Sequence, residues 1–479
     1  MIAVKRTWFE VDARALGVFR IALGATLLLD LLRRVPYVDL FWGGTAGVFP
    51  PPPEGTLASF SLLSGAHPPA LAWALLAVSV VAAALFTAGR WTRVAGVVTL
   101  AGLLSFHANR FGLETGASQV LRLALMYALL LPTDLCYAWR RRPQPPEPPA
   151  PVRSIAVLAL LLQLGLIYFN AAAARGGPSW LTGTAIHDML ELDTYVTPLG
   201  AALRGPLMDA ASPALSDATL ALEVLGPLLM LLPVAPDLLR GVTLVALFGF
   251  HLCILLLIDV GLFSASMFCL LLLFVPGPVF DALERRLGRA TAAPGVAPVP
   301  APARWQRWHV EVLALAVLVP NLWLGVHRNQ LLGPVIRDAG LGAPAALDVA
   351  LARLEISQTW RMFAPNVSRV DQVVLVPATT ASGRVVDLLT GAPPDFGPVG
   401  PDRLRGQFWS KYFERLSNGA ASPEALRTRL VARWNAAQAD PVVRAEVVLL
   451  REHTPDLGRT APGPPEPTTL LGAESVAVQ

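Results

Sequence analysis

Lysine is nearly missing from this chain. Of 38 basic residues only Lys5 and Lys411 are lysines, and arginine carries the rest of the positive charge. Arginine stays protonated at any accessible pH, so it cannot supply the amine chemistry that a lysine can. Cysteine is scarce as well. Cys136, Cys253 and Cys269 show no paired spacing, and two of them fall inside apolar runs. No disulfide framework and no metal site is read from that pattern. Charge of either sign is low, at 15% of 479 residues against 54% hydrophobic, where soluble domains carry roughly 25% charged residues. A polytopic membrane protein is therefore expected rather than a soluble enzyme. There is no Gly-rich phosphate loop and no repeat at solenoid periods. The net charge of +4 is explained by loop arginines through membrane topology, and no nucleic-acid partner is expected.

What the chain does have is apolar runs of near-bilayer length, about 20 residues each. They fall at about 15–32, 70–88, 93–107, 118–132, 153–172, 217–233, 239–259, 261–276 and 309–326. The third, fourth and eighth are short, so eight to nine transmembrane helices are expected. Charged residues continue to Arg14 before the first run, unlike a cleavable signal, so that helix is expected to remain. Segments on the side of the N-terminus hold fifteen Lys or Arg, and the opposite loops before the last span hold five, Arg33, Arg34, Arg110, Arg175 and Arg204. That inequality places the N-terminus in the cytoplasm and, with nine spans, the C-terminal region outside.

The expected fold class is an all-α polytopic membrane protein with a small C-terminal α+β extramembrane domain. Residues 10–280 form the transmembrane helical domain, 290–303 a Pro/Ala linker and 309–326 the last transmembrane helix. An α+β extramembrane domain follows at 350–455, then a disordered tail at 456–479. "DQVVLVPA" and "GRVVDLL" alternate like two strands joined by "TTASG", and "RAEVVLLREH" is a further strand. Residues 402–417 and 423–438 read as helices, the second entered through Ser422-Pro423-Glu424. Interfacial helices are expected at 57–64 and at 184–193, the latter with Ile186, Met189 and Leu190 on one side and His187, Asp188 and Glu191 on the other.

The chain is organised around "QLGLIYFNAAAARGGPSWLTGTAIHDM", residues 163–189. An apolar helix loses its hydrophobicity at Asn170, crosses four alanines, turns through Arg175-Gly176-Gly177-Pro178 and resumes after Trp180. One account is a plain helix exit with a snorkelling Arg and an anchoring Trp; the other is a ligand site at the bilayer edge. Ionisable groups inside spans are costly and so mark candidate sites. Arg20 and Asp30 lie in the first span, Arg122 in the fourth, Glu223 in the sixth and His251 in the seventh, with Gln163 and Asn170 as neutral donors in the fifth. The bland account pairs Glu223 with Arg20 or Arg122 as a strut between helices, and makes His251 an interhelical hydrogen-bonding residue.

Four stretches, in this order, are similar to the HTTM (horizontally transferred transmembrane) family, bacterial relatives of the vitamin K-dependent gamma-carboxylase. They are "ALGVFRIALG" with Arg20, "YFNAAAARGGPSWLTG" with Tyr168, Phe169, Trp180 and Gly183, "FHLCILLLIDVGLF" with Phe250, His251, Gly261 and Phe263, and "QTWRMFAP" at 358–365. The likeness covers most of residues 10–280. It implies the family fold, location in a bacterial inner membrane and a reduced, vitamin K-like quinone as cofactor. The chain departs from the family where the lysine base is expected, since Ala174 and Arg175 hold those positions and neither lysine lies in a span. The family's second histidine is also missing from "ETGASQVLR".

The expectation is thus a relative that binds a quinone-like or isoprenoid membrane lipid and presents or acts on an exported protein or peptide. Arg20, Arg122, Asn170, Arg175, Trp180, Glu223 and His251 are the candidate pocket residues, with His251 and Glu223 the catalytic candidates. The alternatives are a non-catalytic scaffold or maturation factor, and an active gamma-glutamyl carboxylase with His251 or Glu223 as base. No paired, broken helices of an inverted-repeat transporter are visible.

Overall fold

Asp12 accepts the Arg14 N–H at 2.8 Å and starts the first long helix, α1 (Ala13–Leu32). The computed structural model describes residues 10–44, 61–63, 67–108, 115–139, 151–232, 235–288, 304–342, 360–400, 406–456 and 463–475, with positions 48, 113, 344, 347, 349 and 351. After α1 come α2 (Val38–Phe41), α3 (Pro69–Ala88), α4 (Thr92–Ala108), α5 (Gly116–Leu130) and α6 (Ile155–Ala174), the last capped by Ser154. Three short helices follow, α7 (Pro178–Leu181), α8 (Ala185–Glu191) and α9 (Pro198–Ala202). The bundle is completed by α10 (Pro206–Leu231), α11 (Pro236–Leu257), α12 (Phe263–Leu272), α13 (Gly277–Arg286), α14 (Arg304–His327) and α15 (Leu332–Asp338).

Each of the nine apolar runs is a helix: α1, α3, α4, α5, α6, α10, α11, α12 and α14. Among the described residues six helices are long and apolar enough to cross a membrane, and the α12–α13 pair, bent by 92°, would make seven. The apolar helices α4 and α5 are shorter. The chain is thus a mostly helical, multi-pass membrane protein with a small C-terminal sheet. Pro213 and Pro227 lie inside α10 and Pro320 inside α14; such prolines are tolerated in membrane helices because neighbouring groups re-satisfy the freed carbonyls.

Contacts at the helix ends define two faces. At one, strand β1 (Glu10–Val11) pairs antiparallel with β2 (Val152–Arg153), and Arg14 reaches Asp281 and Glu284 of α13 at 2.8 and 2.9 Å. On the same face Arg240 of α11 donates to the Glu10 carbonyl, and Glu311 of α14 accepts the Ile155 N–H. At the other face lie the ends of α1, α4, α6, α11 and α14 and the starts of α5, α10 and α12. There Trp42 donates to the Phe106 carbonyl, and Asn329 donates to Asn170. The nine apolar helices therefore alternate in direction.

The C-terminal domain sits on this second face. Its strands are β3 (Val370–Leu375), β4 (Pro377–Thr380), β5 (Val385–Asp387), β6 (Val442–His453) and β7 (Glu466–Ser475), all antiparallel. β6 is central, pairing with β3, β4 and β7. Helices α16 (Gln407–Ser417) and α17 (Pro423–Ala437) cover the sheet, and Ser422 caps α17 by accepting the Ala425 N–H. The domain docks through rings: Phe408 and Trp409 of α16 meet Tyr37 and Phe41 beyond α1, with centroids 5.5 Å apart for Tyr37–Phe408 and Phe41–Trp409.

The structure corrects several expectations. "DQVVLVPA" is two strands. The break comes at Val376, whose N–H donates to Asp387 at 2.9 Å, and only β4 pairs with β5. The segment beyond 455 is no featureless tail, because Glu466–Ser475 covers the free edge of β6. Its strand, holding Gly472 and following a proline-rich run, has no signal of its own and is ordered by a long edge needing a partner. The start of the helix expected from 402 and the whole 290–303 linker lie outside the described residues, as does most of 57–64. In α8 the expected polar side is not solvated. His187 and Asp188 are buried, His187 facing Asp209 at 2.8 Å and Asp188 lying 3.6 Å from Arg369.

Candidate ligand cavity

α6 ends at Arg175, which adopts a non-helical cap conformation. The chain then turns through two glycines so closely against the C-terminal domain that a Cβ on Gly177 would collide with Asn366 and the Pro365 carbonyl. Gly177 donates to that carbonyl at 3.1 Å, and Trp180 donates to the Phe363 carbonyl at 2.8 Å. The turn thus holds the end of α6 against residues 360–368, and a cavity of about 500 Å³ lies between them.

Its floor consists of two polar pairs. Glu223 of α10 forms an ion pair with Arg175. The Tyr168 hydroxyl lies 2.7 Å from His251 Nε2, so two facing helices meet in one hydrogen bond. Aromatic rings form the walls: Phe250, Phe263, Trp360 and Phe363. The C-terminal domain supplies Gln407, Lys411 and Glu414 at the mouth, the last two 2.8 Å apart. Burial works against the Lys411 ammonium, yet the facing Tyr195 and Glu414 outweigh it and hold its pKa above the ordinary value. Among the lining residues, His251 Nδ1, Arg175 Nε, Thr115 Oγ1 and Gln119 Oε1 are buried and make no hydrogen bond among the described residues. A polar atom buried in that state typically costs about 1–3 kcal/mol, so the lining is polar where a ligand's donors and acceptors would meet it.

Of the residues singled out from sequence, Arg175, Glu223 and His251 share this cavity. The others lie elsewhere. Arg20 is near the opposite face, donating to the carbonyls of Thr133 at 2.8 Å and Tyr137 at 2.7 Å, so it is neither Glu223's partner nor a pocket residue. Arg122 faces His107 Nδ1, while Arg34 faces the other ring nitrogen at 2.8 Å and also bonds Asp30 at 2.5 Å. Asn170 donates to the Gly325 carbonyl at 3.1 Å and belongs to the α6–α14 contact. Trp180 lies behind the cavity, its ring centroid 4.5 Å from the Arg175 guanidinium.

Sequence reasoning missed Lys411 and Glu414, having placed both lysines away from the spans. The amphipathic run "QFWSKYFERL" announces a helix with a buried aromatic side, but nothing local says which surface that side meets. No family model, curated protein or solved structure matches this chain.

Proposed function

We propose that this chain binds a quinone-like or isoprenoid lipid in the cavity between bundle and extramembrane domain, and that the domain presents an exported protein or peptide to it. The observation that carries this reading is the pairing of aromatic walls with polar ends. Phe250, Phe263 and Trp360 suit a planar ring, while His251 Nδ1 is a position for an oxygen substituent and Gln119 Oε1 for a hydroxyl of the reduced form, which it would accept from. Such composition, mostly apolar with a few convergent polar groups, is what small-ligand sites generally have. In this reading α4, α5 and α12 also cross the membrane, making nine spans. The N-terminus is cytoplasmic and the C-terminal domain extracytoplasmic, in the inner membrane of a bacterium. The alternating helix directions and the fifteen-to-five excess of basic residues on the N-terminal side support this.

A second reading, a non-catalytic scaffold or maturation factor, is favoured by one observation. The buried charges of the bundle have partners inside the protein: Arg20 on backbone carbonyls, Asp30 on Arg34, Glu223 on Arg175. Native mass spectrometry of the detergent-purified protein separates the two. The lipid reading expects a co-purifying quinone or isoprenoid mass, depleted in His251→Ala and in Phe263→Ala. If no such mass is retained, and added menaquinone does not bind, the lipid reading fails and the scaffold reading stands.

A further inference from the structure

A second cavity lies beside the first, where the last long helix leaves the bundle. It has a volume of about 340 Å³ and is lined by His327, Arg328, Asn329, Gln330, Arg337 and Arg361, with Pro334. Among the described residues no carboxylate lines it. Arg361 also lines the aromatic cavity, so the two spaces adjoin at that side chain.

Two of the guanidinium groups, Arg337 and Arg361, are held in place by uncharged partners. Arg337 donates to the His327 carbonyl at 3.2 Å, a single bond for a group with five donors. With the Gln330 amide turned so that its oxygen faces Arg361, as the donors around it require, that oxygen accepts from Arg361 Nη2 at 2.7 Å and Nε at 3.2 Å. Neither guanidinium takes part in an ion pair among the described residues. His327 Nε2 is buried and makes no hydrogen bond among the described residues. Asn329 accepts the Leu331 and Leu332 N–H groups at 2.9 and 3.0 Å, which fixes the turn that brings α15 and Arg337 back over the end of α14.

We infer that this cavity is a phosphate site, taking the phosphate of an anionic amphiphile at the edge of the bilayer. Guanidinium groups offer planar, forked donors that match phosphate oxygens, and two such groups beside an imidazole exceed what a neutral ligand needs. The location allows it: the cavity lies where α14, the last long apolar helix, ends and α15 turns back, at the level where a lipid headgroup would sit. The claim does not depend on what fills the aromatic cavity. Phosphate chemistry could come from a lipid headgroup or from a soluble phosphate, and the test separates these sources.

The full chain, purified in neutral detergent, is titrated with dihexanoyl-phosphatidylglycerol, with dihexanoylglycerol of the same chains but no phosphate, and with inorganic phosphate, following the melting temperature. Phosphatidylglycerol is expected to raise it and dihexanoylglycerol to leave it unchanged. A response to inorganic phosphate at the same concentrations assigns the site to soluble phosphates; its absence assigns it to lipid. Arg337→Gln and Arg361→Gln should each weaken the apparent affinity about tenfold or more, the loss expected for one charge-assisted contact. Arg337→Lys should recover part of it, and Arg384→Gln, on the sheet away from the cavity, should bind like wild type. Equal shifts with phosphatidylglycerol and dihexanoylglycerol, or wild-type affinity in both Gln variants, would overturn the assignment.

Discussion

Arg175 and Glu223, 48 residues apart, form an ion pair at the cavity floor, and the ring of Trp180 lies over the guanidinium. Both side chains are buried. Breaking such a buried pair leaves one charge without its partner and typically costs roughly 3–5 kcal/mol, whereas replacing both partners with apolar groups is often neutral. Glu223→Ala should therefore lower the melting temperature of the detergent-solubilised protein, Glu223→Gln should do so less, and Arg175→Met with Glu223→Leu should recover most of the loss. An unchanged melting temperature in Glu223→Ala would mean that the carboxylate is hydrated, and the buried-pair account would fail.

Asp371 at the start of the sheet accepts the Asp193 N–H at 2.9 Å and the Thr194 N–H at 2.7 Å, tying the domain to the loop after α8. Burial pushes its carboxyl up to about 6, the bonds from Thr194 and Asp193 opposing the rise. In the unfolded chain an aspartate titrates near ~3.9. The folded state thus binds the proton more tightly, so this group's contribution is greatest below about pH 4 and is lost as pH rises through about 6, by at most roughly 3 kcal/mol. The stability of the wild type relative to Asp371→Asn should fall across that window in denaturation series at fixed ionic strength. A relative stability that rises with pH would show the hydrogen bonds outweighing burial, and the direction of the shift would be the reverse.

The helical frame was legible because its signals are local. Asp12, Ser154 and Ser422 each cap a helix where the pattern places a start, and every apolar run is a helix. Azimuth is not local. Arg20 and Glu223 are both ionisable residues in apolar runs, yet one ends among carbonyls near one face and the other on Arg175 toward the opposite face. Nothing in either run says which neighbour its polar side meets. The contribution of Lys411 was hidden for the same reason, since it depends on how a separate domain docks. The edge strand β7 depends on pairing with β6, a partner whose nearest paired residue lies 15 positions away, Arg451 to Glu466.

Helix direction gives a topology that reporter fusions can test. The α13 end carries Arg285 and Arg286 and shares a face with Arg14, whereas Gly340 follows α15 on the face that holds the C-terminal domain. Fusions after Leu287 should read cytoplasmic, and fusions after Gly340 should read external. If both report the same side, α14 does not cross the membrane and the nine-span reading is wrong.

The last prediction is that this protein does not carboxylate glutamate, and that Arg175→Lys alone will not make it do so. A base that takes a proton from a hydroquinone must first be neutral. Arg175 never is, and it is already engaged with Glu223. A lysine at the same position would face the same carboxylate, which favours its charged form. Lys411, the one lysine among the described residues that lines the cavity, is paired with Glu414 at 2.8 Å, and its pKa is held above the ordinary value, so it too stays protonated near neutrality. Since a positioned acid–base group typically contributes about two to four orders of magnitude in rate, a site in which neither Arg175 nor Lys411 is neutral should show no turnover, and His251 is the remaining lining group that could take the proton. The assay supplies reduced vitamin K or menaquinone, labelled bicarbonate and glutamate-containing peptides to wild type and Arg175→Lys side by side. Incorporation by the wild type above a His251→Ala control would refute the prediction and identify His251, with Tyr168 at 2.7 Å, as the group that takes the proton.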